Sequence, residues 1–309
     1  MKVIYGNDLD NSIPKDAACA LGFFDGVHIG HQKLIRCLKE YSNSHNIGSM
    51  VFTFDRHPLT VLDSARAPKL IYDNESKTRV FAELGVDILY FSHVDRDFLR
   101  MSPYDFLDKV LVGHMNVRAI VAGFNFSFGN GASGNAQFLR DFSKKSGVEV
   151  RIVEPVHLDG TVVSSSEIRA SLAEGNIGIV NRMLGRPYAI HGEVIQGMQR
   201  GRKLGFPTIN LSTAEGMMTP KDGVYITYVN FNGLRKIGIT NVGSNPTFNG
   251  RAKTVETYIL DYSGDLYGAD VSLEFCKRIR DEVKFATSKE LTAQMDSDLR
   301  FAEVFLDKN

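Results

Sequence analysis

The stretch "GFFDGVHIGH", Gly22–His31, joins an apolar run, "AACAL", to an amphipathic segment, "QKLIRCLKEY". It sets three glycines and two histidines where a buried strand gives way to a helix. Glycine is a poor helix former and histidine a modest one, so packing does not ask for this arrangement. Anion binding does. A helix beginning near Gly30-His31 points unpaired backbone N–H groups and partial positive charge at whatever lies before it. Gly26 and Gly30 let phosphate oxygens approach the backbone. His28 and His31 lie three residues apart, so both imidazoles can face one ligand, donate hydrogen bonds and stabilise charge on a leaving group.

Outward from this stretch, residues 17 to about 175 alternate short apolar runs with helical patterns. Strands are predicted at "AACALGFF", "GSMVFTF", "DILYFSHV", "VRAIVAGFNF" and "VEVRIVEPV". Helices are predicted after His31, where Leu34, Ile35, Leu38 and Tyr41 recur at helical spacing, at "SKTRVFAELG" ending in Gly85, at "SPYDFLDKVLVGHM" with Ser102 as N-cap, and at "NAQFLRDFSKKSG". Alternating elements of this length imply an α/β domain with a parallel sheet covered by helices. In such sheets ligands lie beyond the carboxyl ends of the strands, the place this stretch occupies.

Near residue 182 the rhythm changes to short alternating segments: "MLGRPYAIHGEVIQG", "GVYITYVNF", "LRKIGITNV", "TVETYILDY" and "DVSLEFCKRIR". Asn232-Gly233 is a two-residue hairpin signal. This half is mainly β, an antiparallel barrel or sandwich. It closes in a helix whose apolar face carries Leu291, Met295, Leu299 and Ala302. The expected domains are 1–181 and 182–309, with a short junction around Asn181–Gly185.

Composition sets outer limits. The 309 residues are 43% apolar and 23% charged, enough for two ordinary domains. Lysine plus arginine equals aspartate plus glutamate at 36 each, which argues against a general nucleic-acid binder. No apolar run approaches the roughly 20 residues that span a bilayer, and no signal peptide is evident, so no membrane role is expected. Three cysteines without CxxC spacing fit reduced thiols in the cytoplasm and exclude a cysteine zinc site. The sequons at Asn125 and Asn210 are therefore read as chance matches.

The HxGH element, here "HIGH", resembles the signature of the nucleotidyltransferase superfamily. A second signature of that superfamily has hydroxyls and a basic residue at a helix start. This chain has "SSSEIR", in which Ser165 and Ser166 can bind phosphate oxygens and Arg169 can add a charge-assisted contact. "GNGASG", Gly129–Gly134, matches GxGxxG but falls late in the alternating region, so a flexible loop near the ligand is expected rather than a dinucleotide fingerprint. No P-loop occurs. In the second half, "RGRKLGFPTIN", Arg200–Asn210, sets Thr208 and Asn210 two apart, on one side of a strand. Their hard oxygen donors suit Mg²⁺ bound to nucleotide phosphates.

The whole chain is similar to the bacterial bifunctional riboflavin kinase/FMN adenylyltransferases, or FAD synthetases. "GFFDGVHIGH", "FTFDRHP", "AGFNFSFG", "SSSEIR", "LGRPY", "GRKLGFPTIN", "NVGSNPTF", "VETYILDY", "LYG" and "IRDEVKF" follow that family's order. The resemblance implies a Rossmann-like nucleotidyltransferase domain that makes FAD and pyrophosphate from FMN and ATP. It implies a β-barrel kinase domain with a C-terminal helix that makes FMN and ADP from riboflavin and ATP. It implies nucleotide contacts from Gly22, Phe24, Asp25, Gly26, His28, Gly30, His31, Asn125, Ser165, Ser166 and Arg169, with the two histidines catalytic. For the kinase it implies Gly201, Lys203, Gly205, Pro207, Thr208, Asn210 and Arg280 as nucleotide or flavin contacts. Thr208 and Asn210 would hold Mg²⁺ with ATP, and Glu256, flanked by Thr254 and Tyr258 on its strand face, would be the catalytic base. A monomer or weak homo-oligomer is expected. Two departures stand out: Phe23 where the family often has Asn, which removes one phosphate-contacting side chain, and Ile209 where it has Ala, on the strand face away from the metal. The alternatives are a single-activity adenylyltransferase with a flavin-binding but inactive barrel, and a non-catalytic flavin-responsive regulator. Residues 129–135 and 244–252 are candidate closing loops.

Overall fold

A computed structural model describes residues 1–6, 16–197, 206–247 and 250–306. The chain divides into two compact units, Met1–Ser165 and Ser166–Asn309.

The first unit is built on strands β1 (Lys2–Tyr5), β2 (Ala17–Leu21), β3 (Gly48–Phe54), β4 (Ile88–Ser92), β5 (Val117–Gly123) and β6 (Glu149–Val153). They pair in the order β1-β4-β3-β2-β5-β6, and all the pairings are parallel. Its helices are α1 (Ile29–His45), α2 (Leu59–Leu62), α3 (Asn74–Glu83), α4 (Arg96–Arg100), α5 (Pro103–Asp105) and α6 (Ala136–Ser146). All five side chains of β2 are buried, as a central strand covered on both faces requires. On α1 the expected stripe, Leu34, Ile35, Leu38 and Tyr41, is the buried one. The strand order runs outward from β2 in both directions, towards β4 and towards β6. That reversal opens a crevice at the carboxyl ends of β2 and β5. The "GFFDGVHIGH" stretch leaves β2 at this point, and Asn125 follows β5.

Several local expectations are met in detail and a few are modified. Ser102 caps its helix, its Oγ accepting from the Asp105 N–H at 3.0 Å. The helix then widens to a π-helix over Phe106–His114 instead of continuing as α. Gly85 follows α3 at φ 71°. The edge strand β1 adds to β4 outside the predicted set.

A short hairpin, β7 (His157–Leu158) and β8 (Thr161–Val162), leads to α7 (Ser165–Glu174) and α8 (Ile177–Leu184). In the second unit β9 (Tyr188–Ile195), β10 (Thr208–Leu211), β11 (Gly223–Phe231), β12 (Leu234–Thr247), β13 (Gly250–Ile259) and β14 (Asp270–Arg280) close into an antiparallel barrel, followed by α9 (Ser288–Leu306). The barrel, rather than the sandwich, results because β9 pairs with both β10 and β14. Asn232 and Gly233 form the two-residue turn between β11 and β12, at φ 48° and 75°. Inside the barrel three buried hydroxyls satisfy one another: Thr227 and Thr240 at 2.8 Å, Thr240 and Thr257 at 2.9 Å. Residues 244–247 and 250–252, expected as a loop, extend β12 and β13 as a long hairpin. The expected junction at Asn181–Gly185 is the end of α8, where Asn181 Nδ2 donates to Phe275 O at 2.8 Å.

Candidate functional site

The turn out of β2 is tight and strained. Phe24 and Val27 sit at φ 55° and 40°, with Gly26 between them at 78°. A β-branched residue in the left-handed region costs on the order of 1–3 kcal/mol and persists only where its surroundings impose it. Here they do. Phe24 is buried edge-on against Phe81, ring centroids 5.5 Å apart. The Asp25 carboxylate, 2% exposed, accepts the backbone N–H groups of Ile71 at 2.9 Å and Tyr72 at 3.1 Å. Ser165 Oγ donates to Asp25 O at 2.9 Å. Phe23 O accepts from Thr53 Oγ1 at 3.0 Å and from Lys77 Nζ at 3.4 Å.

This bracing presents the histidine pair. His28 is the N-cap of α1, its Nδ1 accepting the His31 N–H at 3.3 Å. The two imidazoles stack at 3.6 Å with 17° between their planes, and Phe24 meets His31 edge-on at 5.1 Å. His28 is buried and His31 half-buried. A Cβ on Gly30 would press on the His28 ring at 3.1 Å, and one on Gly22 would meet the Phe24 ring at 2.9 Å. These glycines therefore make room for rings as well as for a ligand. Phe24 and Asp25, expected among the nucleotide contacts, have inward-facing side chains, one packed in the core and the other accepting backbone N–H groups, and both brace the loop.

Beside the loop lies a cavity of about 750 Å³, walled by Phe54, Phe98, Phe126 and Phe128 and closed on one side by Gly129–Ala132. The GxGxxG look-alike thus lines a ligand-sized space and does not open the first βαβ unit. Asn125 is exposed just after β5. Ser165 reaches the histidine loop, whereas Ser166, exposed, and Arg169, half-buried, continue α7 in the second unit.

In the barrel, Thr208 faces Tyr258 and Asn210 faces Glu256 across β10 and β13, and Glu256 faces Asn241 on β12. Directly opposed residues of antiparallel strands project from the same face, so Asn210, Glu256 and Asn241 form one polar row. A cavity of about 400 Å³ has Thr208, Asn241 and Glu256 on its polar wall and Phe285, Leu291 and Met295 on its apolar one. A second cavity, about 320 Å³, shares Thr208 and is lined by Pro207, Ile209, Tyr262 and Tyr267. A Cβ on Gly197 would overlap the Asn210 amide, so that glycine is what seats the amide. Arg280 lines the larger cavity with its guanidinium forked onto Asp298 of α9, at 2.7 and 3.1 Å. Gly201, Lys203 and Gly205 lie outside the described residues. No cluster of three His, Cys, Asp or Glu side chains among the described residues could hold a metal. Thr208 and Asn210 supply neutral oxygens that fit Mg²⁺ when phosphates complete its shell.

A family model for FAD synthetase matches residues 10–167, and one for riboflavin kinase matches 184–306. The bifunctional riboflavin kinase/FMN adenylyltransferase of Listeria monocytogenes is 37% identical over 291 residues, 94% of this chain and 92% of that one. The Bacillus subtilis protein of the same name is 38% identical, covering 90% and 89%. The chain belongs to the bifunctional riboflavin kinase/FMN adenylyltransferase family. A solved Streptococcus pneumoniae structure, described as a macrolide-efflux protein, shares the fold with a TM-score of 0.90 at 30% identity, covering 98% and 99%. In this chain no described helix is long and apolar enough to cross a membrane.

Family membership in both halves favours two activities over a single-activity enzyme. Sequence reasoning missed Lys77, Asn241, Glu282 and Asp298. Asn241 Nδ2 donates to Glu282 Oε1 at 2.9 Å, and both side chains face the barrel cavity. Each of the four reads from sequence as an ordinary surface polar residue. Two had a signal: Asn241 opens the quoted "NVGSNPTF" and Glu282 lies in "IRDEVKF".

Proposed function

We propose that residues 182–309 phosphorylate riboflavin to FMN with ATP, and that residues 1–181 transfer the adenylyl group of ATP to FMN, giving FAD and pyrophosphate. Kinase chemistry starts from a neutral hydroxyl. Glu256 accepts the proton of the terminal ribityl hydroxyl as its oxygen attacks the γ-phosphorus and ADP leaves. The apolar wall of Phe285, Leu291 and Met295 suits an isoalloxazine ring, and the cavity edged by Tyr262 and Tyr267 suits adenine. Shared by both spaces, Thr208 stands where the triphosphate must lie. Thr208 and Asn210 would hold Mg²⁺, which when bound neutralises phosphate charge.

Adenylyl transfer needs no proton abstraction, because the FMN phosphate is already an anion. It attacks the α-phosphorus and pyrophosphate leaves. Positioning and charge stabilisation carry the rate. His28 and His31, stacked at the start of α1, stabilise the charge on the departing pyrophosphate. Asn125 and Ser165 add nucleotide contacts from the same unit. The aromatic walls of the 750 Å³ cavity suit the flavin of FMN. We also propose that the protein works in the cytoplasm as a monomer or weak homo-oligomer, without nucleic-acid or membrane partners; its three cysteines are unpaired.

The observation that carries the reading is the register of Asn210 against Glu256, a metal-type amide beside a base at the rim of a flavin-sized cavity, in the chain that holds the His28–His31 stack. Chromatography of products from riboflavin, ATP and Mg²⁺ tests it. FMN followed by FAD is expected. FAD from added FMN but no FMN from riboflavin would reduce the protein to an adenylyltransferase, and no product at all would overturn both assignments.

A further inference from the structure

Lys77 is the most deeply buried cation in the described structure and has no part in the mechanism above. It lies on the inner face of α3 with Ser76, Val80 and Phe81 and is 1% exposed. Lysine is almost never this buried unless it is paired. Among the described residues its ammonium makes no ion pair within contact distance. It reaches Phe23 O at 3.4 Å and sits 4.2 Å from the centroid of the Phe23 ring. His57 meets the same ring edge-on at 4.7 Å. Phe23 precedes the strained Phe24–Val27 turn that delivers the histidine pair, so the buried cation grips the entry to that turn.

The charged groups that bear on Lys77 come from three directions. Asp25 lies in the turn itself, Asp55 follows β3, and Asp73 caps the helix that carries Lys77. None is dedicated to it. Asp25 accepts from Ile71 and Tyr72, Asp73 from the Ser76 N–H, and Asp55 from His93 and the Val94 N–H. Burial drives the Lys77 ammonium down to about 8, against the pull of these carboxylates. A purely packing role would be better served by methionine or leucine.

We propose that Lys77 is a positioning residue for adenylyl transfer: its buried ammonium fixes the Phe23 carbonyl, and through it the HxGH loop, against the triphosphate that the loop receives. The inference rests on the nucleotidyltransferase reading of the first unit. Lys77 touches no substrate. In its charged form it holds the turn and adds positive potential behind a loop that must accept three phosphates. On losing its proton it gives up the positive potential and the cation–π contact, and holds the carbonyl only through a weaker neutral N–H.

The pH dependence of the two activities in the intact chain tests this. For wild type, kcat/KM for ATP in FMN adenylylation should fall above a midpoint near pH 8, while riboflavin phosphorylation shows no matching limb. Lys77→Met should lower FMN adenylylation at pH 7 at least tenfold, mainly through KM for ATP, and remove the limb. It should leave FMN formation from riboflavin within twofold. Lys77→Arg, which stays charged, should restore part of the rate and move the limb upward. If Lys77→Met keeps the wild-type limb and rate, the proposal fails. It also fails if both variants lose FAD formation equally and their thermal midpoints drop together, since that pattern is structural. A wild type that makes no FAD from FMN and ATP at any pH would instead overturn the reading of the first unit.

Discussion

Asn210 and Glu256 are direct partners across β10 and β13, and Glu256 is in turn the partner of Asn241 on β12. Their side chains share one face of the barrel wall, so a metal held by the amide, as proposed, would lie only one strand spacing from the proposed base. An in-line phosphoryl transfer needs that proximity. Glu256→Gln keeps the shape and removes the base. FMN formation from riboflavin should fall 10²- to 10⁴-fold, the usual contribution of general-base catalysis. FAD formation from supplied FMN should be unchanged. Separate assays of the two reactions check it; equal loss in both would mean that Glu256 acts through the fold.

Gly197 is the second half of the same arrangement. A methyl group there would overlap the Asn210 amide, which must then swing out of its seat. Gly197→Ala should raise the Mg²⁺ and ATP concentrations needed for half-maximal kinase activity by roughly tenfold or more, a loss of about 1.4 kcal/mol in binding. The thermal midpoint should change little, because the displaced group is a polar side chain and not the core. Mg²⁺ titration of kinase activity, with the variant's melting curve alongside, separates these outcomes.

His28 combines two tasks that substitution can divide. Its Nδ1 caps α1, and its imidazole is proposed to stabilise the leaving pyrophosphate. Asparagine is a good N-cap, so His28→Asn should retain stability while losing the imidazole. Alanine loses both, with an added cost of about 1 kcal/mol from the vacant cap. FAD formation should fall at least tenfold in both variants, and only His28→Ala should show the lower midpoint. Equal melting with unequal activity would assign the rate loss to something other than the ring.

The two sites were legible to different degrees. Long apolar runs and clean alternation placed β3, β11 and β14 to the residue, whereas "AACALGFF" overran β2, which ends at Leu21 before the turn. The four-residue β1 escaped notice because both of its end residues are exposed and it adds only to a sheet edge. "SPYDFLDKVLVGHM" has the apolar spacing of a helix, but spacing does not distinguish an α-turn from the wider π-turn at Phe106–His114. The histidines stood out by residue type at a strand-to-helix join, whereas Thr208, Asn210 and Glu256 became candidates through the resemblance carried by "GRKLGFPTIN" and "VETYILDY". Asp25 was visible too, but its orientation was not: a carboxylate before HxGH looks like a ligand contact until the N–H groups of Ile71 and Tyr72, more than forty residues away, are seen to meet it. Lys77 and Asp298 carry no local signal, because a charged side chain in an amphipathic segment reads as solvent-facing. Their roles arise from partners distant in sequence.

Arg280 and Asp298 illustrate such a partnership with an energetic consequence. The guanidinium of β14 grips the carboxylate of α9 in a forked pair, and Asp298 is buried while Arg280 stays one-fifth exposed. Gln294 adds a hydrogen bond to the same carboxylate at 2.9 Å. Removing one partner of a buried pair costs about 3–5 kcal/mol, and the exposure of Arg280 reduces that to roughly 1–3 kcal/mol. Asp298→Ala should therefore lower the stability of the barrel unit. It should also raise KM for riboflavin, because α9 supplies Leu291 and Met295 to the cavity. Denaturant unfolding and kinase kinetics measure the two effects. A stability loss without a change in KM would separate α9 from the flavin cavity.

Lys77 makes stability and adenylyl transfer respond oppositely to pH. Its folded-state value, about 8, is below the 10.5 of an unperturbed lysine, because burial penalises the charged form. Below pH 8 both the folded and the unfolded chain carry the proton, and the full penalty burdens the fold. Between about 8 and 10.5 the unfolded chain binds more protons than the folded one, so the contribution to stability rises with pH. Above that window the penalty is gone. The rise amounts to roughly 2–4 kcal/mol from this group. Asp55 acts at the other end: burial would raise it, but His93, the Val94 N–H and Arg56 hold it below its ordinary value, so its stabilisation is lost as pH falls through the acidic range. The difference in unfolding free energy between wild type and Lys77→Met isolates the lysine. Methionine should be favoured most below pH 8, and its advantage should shrink steadily up to pH 10.5, while wild-type FAD formation declines over the same interval. A difference that stays flat from pH 7 to 10.5 would show that the ammonium keeps its proton throughout, and that its burial is compensated more fully than the surrounding carboxylates allow.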